Sequence, residues 1–175
     1  VPDYVKHVFD VSGRVVVVTG GGGILCGTMA RELGRAGAAV AVLDVLPEAA
    51  QRVADDIVAE GGEALAICAD VLSKPTLVAA AEQVLARLGR VDVLINGAGG
   101  NRKEATTTAD LTFFDLPEDA FQWVFNLNLV GALLATQVFG RYMVEQGEGC
   151  IINISSINAI RPLTRIPAYS AAKAA

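Results

Sequence analysis

Short runs of β-branched and small apolar residues alternate along this chain with longer stretches of helical period, and that alternation restricts the fold more than any other feature. Val15 to Thr19 reads as a buried strand, Gly27 to Gly37 as a helix carrying Met29, Leu33 and Ala36 on one side, and Ala39 to Asp44 as the next strand. Pro47 suits a helix start, and the alanine-rich stretch to Glu60 runs into Gly61 and Gly62, as helix C-termini often do. Ala64 to Ala69 makes a third strand, Pro75 to Leu88 a helix closed by Gly89, and Val91 to Ile95 a fourth strand. After a polar loop, a long helix from about Pro117 to Gln146 leads to a fifth strand, Cys150 to Ser155. Strands separated by helices of about 10 to 15 residues imply parallel pairing, right-handed crossovers and helices on both faces. The expected architecture is therefore a doubly wound parallel α/β sheet, one domain over residues 1–175, without internal repeat, low-complexity tract or linker.

The composition agrees with one core and narrows the partners. Hydrophobic residues make up 53% of the 175 and charged residues 19%, enough for a sizeable interior. With 14 basic and 19 acidic side chains the net charge is -5, so no broad cationic field attracts nucleic acid or acidic lipid. Cys26, Cys68 and Cys150 are odd in number and far apart, each in an apolar stretch, which suits reduced, buried thiols better than disulfides or a metal site. No run approaches the roughly 18 apolar residues of a membrane span, and VPDYVKHVFD lacks a signal peptide's basic start and apolar middle. The expected location is the cytoplasm, with no metal, nucleic acid or membrane among the partners.

In a sheet of this kind the ligand crevice lies beyond the carboxyl ends of the strands, where the first strand turns into the first helix. Gly20, Gly21, Gly22 and Gly23 occupy that turn. Residues without a β-carbon let the backbone approach a pyrophosphate, whose charge meets the amides and positive end of the following helix; a tight turn or close strand–helix packing would favour glycine too. Asp44 ends the second strand, where a carboxylate can accept from both hydroxyls of an adenosine ribose. A 2′-phosphate there would be repelled, and no Arg or Lys stands beside Asp44 or in the turn to neutralise it, so NAD is expected rather than NADP. Asp70 in CADV, followed by Val71, ends the third strand, and Asn96, Gly97, Ala98 and Gly99 end the fourth; both would border the adenosine half, or serve as turn and capping residues.

The stretch IINISSINAIRPLTRIPAYSAAKAA carries the chemistry. Ser156 follows the fifth strand, Tyr169 comes thirteen positions later, and Lys173 four after that. Pro167 suits the first turn of a helix, so Tyr169 and Lys173 project from the same face. A phenol is a poor base at neutral pH, but one ammonium about 4 Å away favours its ionised form by roughly 4 kcal/mol at an effective dielectric of about 20. Ser156 could donate a hydrogen bond to a substrate oxygen while Tyr169 exchanges a proton and a nicotinamide carbon exchanges hydride.

VTGGGG at the first turn, Asp44, Asp70, NGAG, Asn128 in FNLNLVG, ISS with Ser156, and YSAAK together resemble the short-chain dehydrogenase/reductase family, whose sheet is of the Rossmann type, over essentially the whole chain. The resemblance implies a catalytic tetrad of Asn128, Ser156, Tyr169 and Lys173. In it Tyr is the acid/base, Lys holds the nicotinamide ribose and favours the phenolate, Ser orients the carbonyl, and Asn holds a water in the proton relay. Cofactor contacts would then come from Gly20, Gly21, Gly22, Gly23, Ile24, Leu25, Asp44, Asp70, Val71, Asn96, Gly97, Ala98, Gly99, Tyr169 and Lys173. The chain departs from the family pattern twice. The family's first turn is T-G-x-x-x-G-x-G, whereas Ile24 and Cys26 occupy its last two glycine places, leaving open which amides meet the phosphate; and Gly97 stands where a second Asn is common, so a local hydrogen bond must be replaced.

The loop NRKEATTTADLTFFDL, together with TGGGGILCG and ISSINAIRPLTRIPAYSAAK, is similar to the family's D-mannonate oxidoreductase branch, which interconverts a keto-uronate (the D-fructuronate type) and D-mannonate. Arg102, Lys103, Arg161 and Arg165 flank the expected reaction centre and would suit a carboxylate, although solvated loop charges explain them as well. Dehydrogenation of another polyol or hydroxy compound, a non-catalytic dinucleotide-binding subunit, and a structural subunit using the long apolar helix are the alternatives. The chain stops at Ala175, two residues past Lys173, so a fragment of a longer enzyme lacking its carboxyl-terminal part is expected. The resemblance and the long apolar helix also imply a homotetramer or homodimer.

Overall fold

The computed structural model describes Tyr4 and residues 8–175; positions 1–3 and 5–7, most of the segment read above for a signal peptide, lie outside the described residues. Five parallel strands form one sheet in the order β3-β2-β1-β4-β5: β1 Val15–Thr19, β2 Ala39–Asp44, β3 Glu63–Cys68, β4 Val93–Asn96 and β5 Cys150–Asn153. Helices α1 Ile24–Arg35, α2 Pro47–Ala59, α3 Lys74–Leu88, α4 Glu118–Phe125, α5 Gly131–Gln146 and α6 Pro167–Ala174 complete the element order. The architecture is the doubly wound α/β sheet that the alternation predicts.

The four consecutive valines of β1 follow from its central place. Val15 and Val17 enter a layer with Leu77, Leu94 and Phe139, while Val16 and Val18 enter the opposite layer with Ala30, Val53 and Ile57. All four are at most 3% exposed. A strand covered on both faces has no solvent side to reserve for polar residues, and each buried valine contributes about 1.5–3 kcal/mol.

Several expectations need correction. The first helix begins at Ile24 rather than Gly27, because Gly23 is already extended and serves as its N-cap. The strand expected from Val91 begins at Val93, since the buried Asp92 turns its carboxylate under β1 to accept from the Val15 amide at 2.8 Å. Only Cys26 is buried; Cys68 and Cys150 are exposed, as they lie on β3 and β5, the two edges of the sheet. The helical run Glu118–Gln146, with mean hydropathy 1.3 in its most apolar window, is long and apolar enough by length and composition to cross a membrane. Its Ala135, Val138, Phe139 and Met143 are buried in the sheet's own core, and about a third of the apolar window is buried in all.

That run is also not one regular helix. Residues Asn126–Val130 form a π turn between α4 and α5. Asn128 causes the local mismatch: its Nδ2 donates to the Val124 carbonyl at 2.8 Å, competing with the backbone ladder one turn earlier.

Candidate functional site

β1 has β2 on one side and β4 on the other, so the chain reverses its direction of travel across the sheet at this strand. A crevice of about 570 Å³ opens there beyond the carboxyl ends of the strands. Ten of the residues expected at a dinucleotide line it: Gly20, Gly23, Ile24, Leu25, Asp44, Asp70, Val71, Gly97, Ala98 and Gly99. Gly21, Gly22 and Asn96 lie behind the wall. Asn96 is 5% exposed and ties the sheet to α5, donating to Thr136 Oγ1 at 3.0 Å and Asn153 Oδ1 at 2.9 Å.

The glycine turn is packed by the protein itself. Gly20 has φ +65, and a β-carbon on it would come within 2.8 Å of Ala98 Cα. The amides of Gly21, Gly22 and Gly23 are already spent on Leu43 O, Asp44 Oδ2 and Gly20 O at 3.0, 3.0 and 3.1 Å. The first amides of α1, on Ile24 and Leu25, have no intrahelical acceptor by the geometry of a helix start, and both residues are exposed at the mouth of the crevice. Those are the donors that an anion can reach, which answers the question raised by the irregular glycine spacing.

Asp44 fastens this turn to β2, accepting from Gly22 N and Leu46 N, one bond per carboxylate oxygen. An ionised carboxylate has about four acceptor sites, so two remain for a ligand. Asp70 is exposed and accepts from Leu72 N at 2.9 Å, the turn arrangement foreseen as its alternative role. Thr19 Oγ1 accepts from the backbone amides of Gly97 and Ala98 at 3.1 and 3.3 Å and ties this second glycine turn to the end of β1.

A second cleft, about 480 Å³, meets the crevice at Ala98 and is lined by Asn96, Asn128, Ser155 and Lys173 among others. Lys173 Nζ donates to the Ile154 carbonyl at 2.7 Å and lies 5.9 Å from the centre of the Tyr169 ring. The amine and the phenol thus share one helix face, but only the amine lines the second cleft. Burial pushes the Lys173 amine below its ordinary value, and the Cys26 sulfur acts weakly in the other direction. Asn128 is 7% exposed with its amide fully engaged: Nδ2 also donates to Gly100 O at 2.7 Å, and Oδ1 accepts from Gly100 N at 3.1 Å. Tyr169 is half-buried against a small cluster containing Ala105, Ala120, Val124 and Ala168. Ser156 is half-buried; its Oγ accepts from Asn158 N at 3.2 Å, which leaves its hydroxyl proton free to donate elsewhere.

The four basic residues are not equivalent. Arg102 is paired with Glu104 at 3.1 Å and stacked 5.0 Å from the centre of the Trp123 ring. Lys103, Arg161 and Arg165 are exposed. Arg165 has φ +80, the left-handed region rarely used by a side chain of this size, and its carbonyl accepts from Thr107 N at 2.8 Å, joining the 101–116 loop to the segment before α6. Thr19, Trp123 and Leu127 join the site beyond the residues expected from the sequence. Trp123 and Leu127 both line the crevice and are spaced i and i+4, a signal that the sequence does contain.

The short chain dehydrogenase family profile matches residues 14–175. The uncharacterized oxidoreductase UxuB of Bacillus subtilis (strain 168) is 46% identical over 173 residues, covering 94% of this chain and 62% of that protein. A Haemophilus influenza protein proposed as a D-mannonate oxidoreductase, crystallised with bound NAD, superimposes with TM-score 0.89 at 43% identity, over 97% of this chain and 64% of the other. A 7 alpha-hydroxysteroid dehydrogenase complexed with NADH and 7-oxo glycochenodeoxycholic acid superimposes with TM-score 0.84 at 31% identity, over 94% and 61%. The chain thus spans about three-fifths of the length of the relatives it matches.

Proposed function

The chain belongs to the short chain dehydrogenase family, and from that premise we propose that it carries the cofactor site and the reacting side chains of an NAD-dependent oxidoreductase acting on the secondary alcohol of a sugar acid. The observation that carries this reading is the meeting of two clefts at Ala98, one walled by the glycine turn and Asp44, the other by Asn128 and Lys173.

The crevice fits a dinucleotide. Ile24 and Leu25 would give their amides to the pyrophosphate at the positive end of α1, and the two open acceptor sites of Asp44 would take the adenosine ribose hydroxyls. Asp70 and Val71 would border the adenine, and Gly97, Ala98 and Gly99 would let the nicotinamide half pass from one cleft into the other. A carboxylate at position 44 repels a 2′-phosphate, so NAD is favoured over NADP. The two related structures holding NAD or NADH support that preference.

The bound nicotinamide supplies or accepts the hydride. The Tyr169 hydroxyl gives its proton to the substrate oxygen in reduction and takes it back in oxidation. The free Ser156 hydroxyl proton donates to the same oxygen and fixes its position. Lys173, held by the Ile154 carbonyl, stabilises the ionised phenol and would donate to the nicotinamide ribose. Asn128 holds Gly100 in place and thereby the wall of the reaction cleft. Arg161, Arg165 and Lys103 would give an anionic substrate its charge partners; Arg102 is already paired with Glu104.

A cytoplasmic location and a homotetramer or homodimer accompany this reading. Assay of the intact protein with D-mannonate and NAD, against neutral polyols and NADP, tests it. Turnover of the aldonate with NAD is expected; cofactor binding without turnover of any hydroxy acid overturns the substrate class.

A further inference from the structure

The two departures from the family's glycine pattern meet in space. Gly97 has no side chain, and a β-carbon built on it would overlap the Cys26 sulfur and lie 2.9 Å from the Thr19 carbonyl oxygen. Cys26 is 4% exposed, yet it contributes to the floor of the crevice together with Gly20, Gly97 and Ala98. Position 26 lies in the first turn of α1 and position 97 directly follows β4, so this contact lies between the two turns that wall the crevice.

We propose that Cys26 and Gly97 form a reciprocal steric pair, in which the thiol fills the volume left by the missing side chain at position 97 and holds the two turns at the separation that a dinucleotide requires. Cys26 is a positioning residue in this scheme, and the inference rests on the cofactor reading above. Burial pushes the thiol up from its ordinary value, opposed by Lys173, which keeps it a neutral space-filling group rather than a nucleophile. The consequence is that either residue can change only when the other does. A side chain at 97 needs a smaller residue at 26 together with a small shift away from the Thr19 carbonyl, and a glycine at 26 leaves a void unless 97 gains volume.

The test is a double-mutant cycle in the intact protein, read by NADH fluorescence titration, steady-state kinetics and thermal unfolding of the same samples. Gly97→Asn alone should weaken NADH binding by about 10-fold or more, and Cys26→Gly alone by several-fold, while Cys26→Gly combined with Gly97→Asn should return to within about 3-fold of wild type. Coupling of that size is typical of residues in direct contact. The losses should fall on cofactor affinity, read by NADH titration and by KM for the cofactor, and exceed what the change in melting temperature of the same samples accounts for, a split that a general loss of folded protein would not produce. Gly97→Ala, which adds one carbon at the point of overlap, provides the same arm if Gly97→Asn does not fold. Multiplicative effects in the double variant overturn the pair, as does a cycle in which melting temperatures couple and cofactor affinity does not move. Failure of the wild-type protein to bind NADH overturns the cofactor reading itself and is visible before any variant is made.

Discussion

Lys173 Nζ donates a 2.7 Å hydrogen bond to the carbonyl of Ile154, so the amine of α6 is anchored to the end of β5 two residues before Ser156. One bond therefore registers the helix that carries Tyr169 against the strand that delivers Ser156. It also determines which way the amine faces, beside the phenol ring rather than into solvent.

If the phenol and amine act as one unit, their losses will not multiply. Tyr169→Phe and Lys173→Met should each lower kcat by about 10²–10⁴-fold, the usual contribution of a general acid–base group. The double variant should fall no more than about 10-fold below the worse single variant. NADH titration should show that Tyr169→Phe still binds cofactor. A double variant equal to the product of the singles would mean that the two side chains act separately.

Asn128 holds Gly100 through both its amide and its carbonyl oxygen. Asn128→Ala leaves the half-buried Gly100 amide and carbonyl without these partners, at about 0.5–1.5 kcal/mol for each bond lost. Thermal unfolding should shift down by several degrees, about 2–4 °C for each kcal/mol in a chain of this size. An unchanged melting temperature would show that the loop after β4 does not depend on this side chain.

Asp44 offers a cofactor prediction with a sign. Asp44→Ala should raise KM for NAD by about 10-fold or more, since hydrogen bonds to a charged acceptor contribute about 1.5–3 kcal/mol each. KM for NADP should rise less or fall, because the negative charge opposing the 2′-phosphate is gone. Equal losses for the two cofactors would leave Asp44 with only its turn-fastening role toward Gly22 and Leu46.

The sheet was legible because its signals are periodic. Val15–Thr19 and Ala39–Asp44 coincide with the expected strands, and the glycine turn and Asp44 are found where the topology requires them. What the sequence did not disclose depends on contacts between distant positions. Asn128 in the π turn Asn126–Val130 bonds across to Gly100, 28 residues away, and no helical period announces that. The neutralisation of Arg102 by Glu104 was readable at a spacing of two, whereas its stacking on Trp123 was not. Cys26 and Gly97 each looked like an isolated exception until the fold placed one inside the space of the other.

An anionic substrate should distinguish among the basic residues. Arg161→Ala and Arg165→Ala should raise KM for a uronate by about 10-fold or more, as a lost charge-assisted bond to a carboxylate does, and leave a neutral ketose nearly unaffected. Arg102→Ala should do less, because its guanidinium is already committed to Glu104 and Trp123. Equal effects on charged and neutral substrates would remove these arginines from substrate recognition.

The far end of the sheet carries the pH dependence of stability. Asp92 is 4% exposed; burial alone would push its carboxyl up, but the Val15 amide, Arg90 and Arg14 outweigh it and hold it below the ordinary carboxylate range. The two guanidiniums are 43% and 48% exposed, so solvent screens them and the buried amide bond is the larger part of the effect. A folded value depressed below the unfolded one adds stability that is present in full above the unfolded value and is lost as pH falls through the folded one. Wild type should therefore exceed Asp92→Asn by about 1–3 kcal/mol in urea unfolding at neutral pH. That gap should begin to close below about pH 4, near the ordinary value for an aspartate, and continue closing as the folded carboxyl takes up its proton. A gap that stays constant or widens on acidification would show that the Asp92 charge contributes nothing to holding β1 against β4.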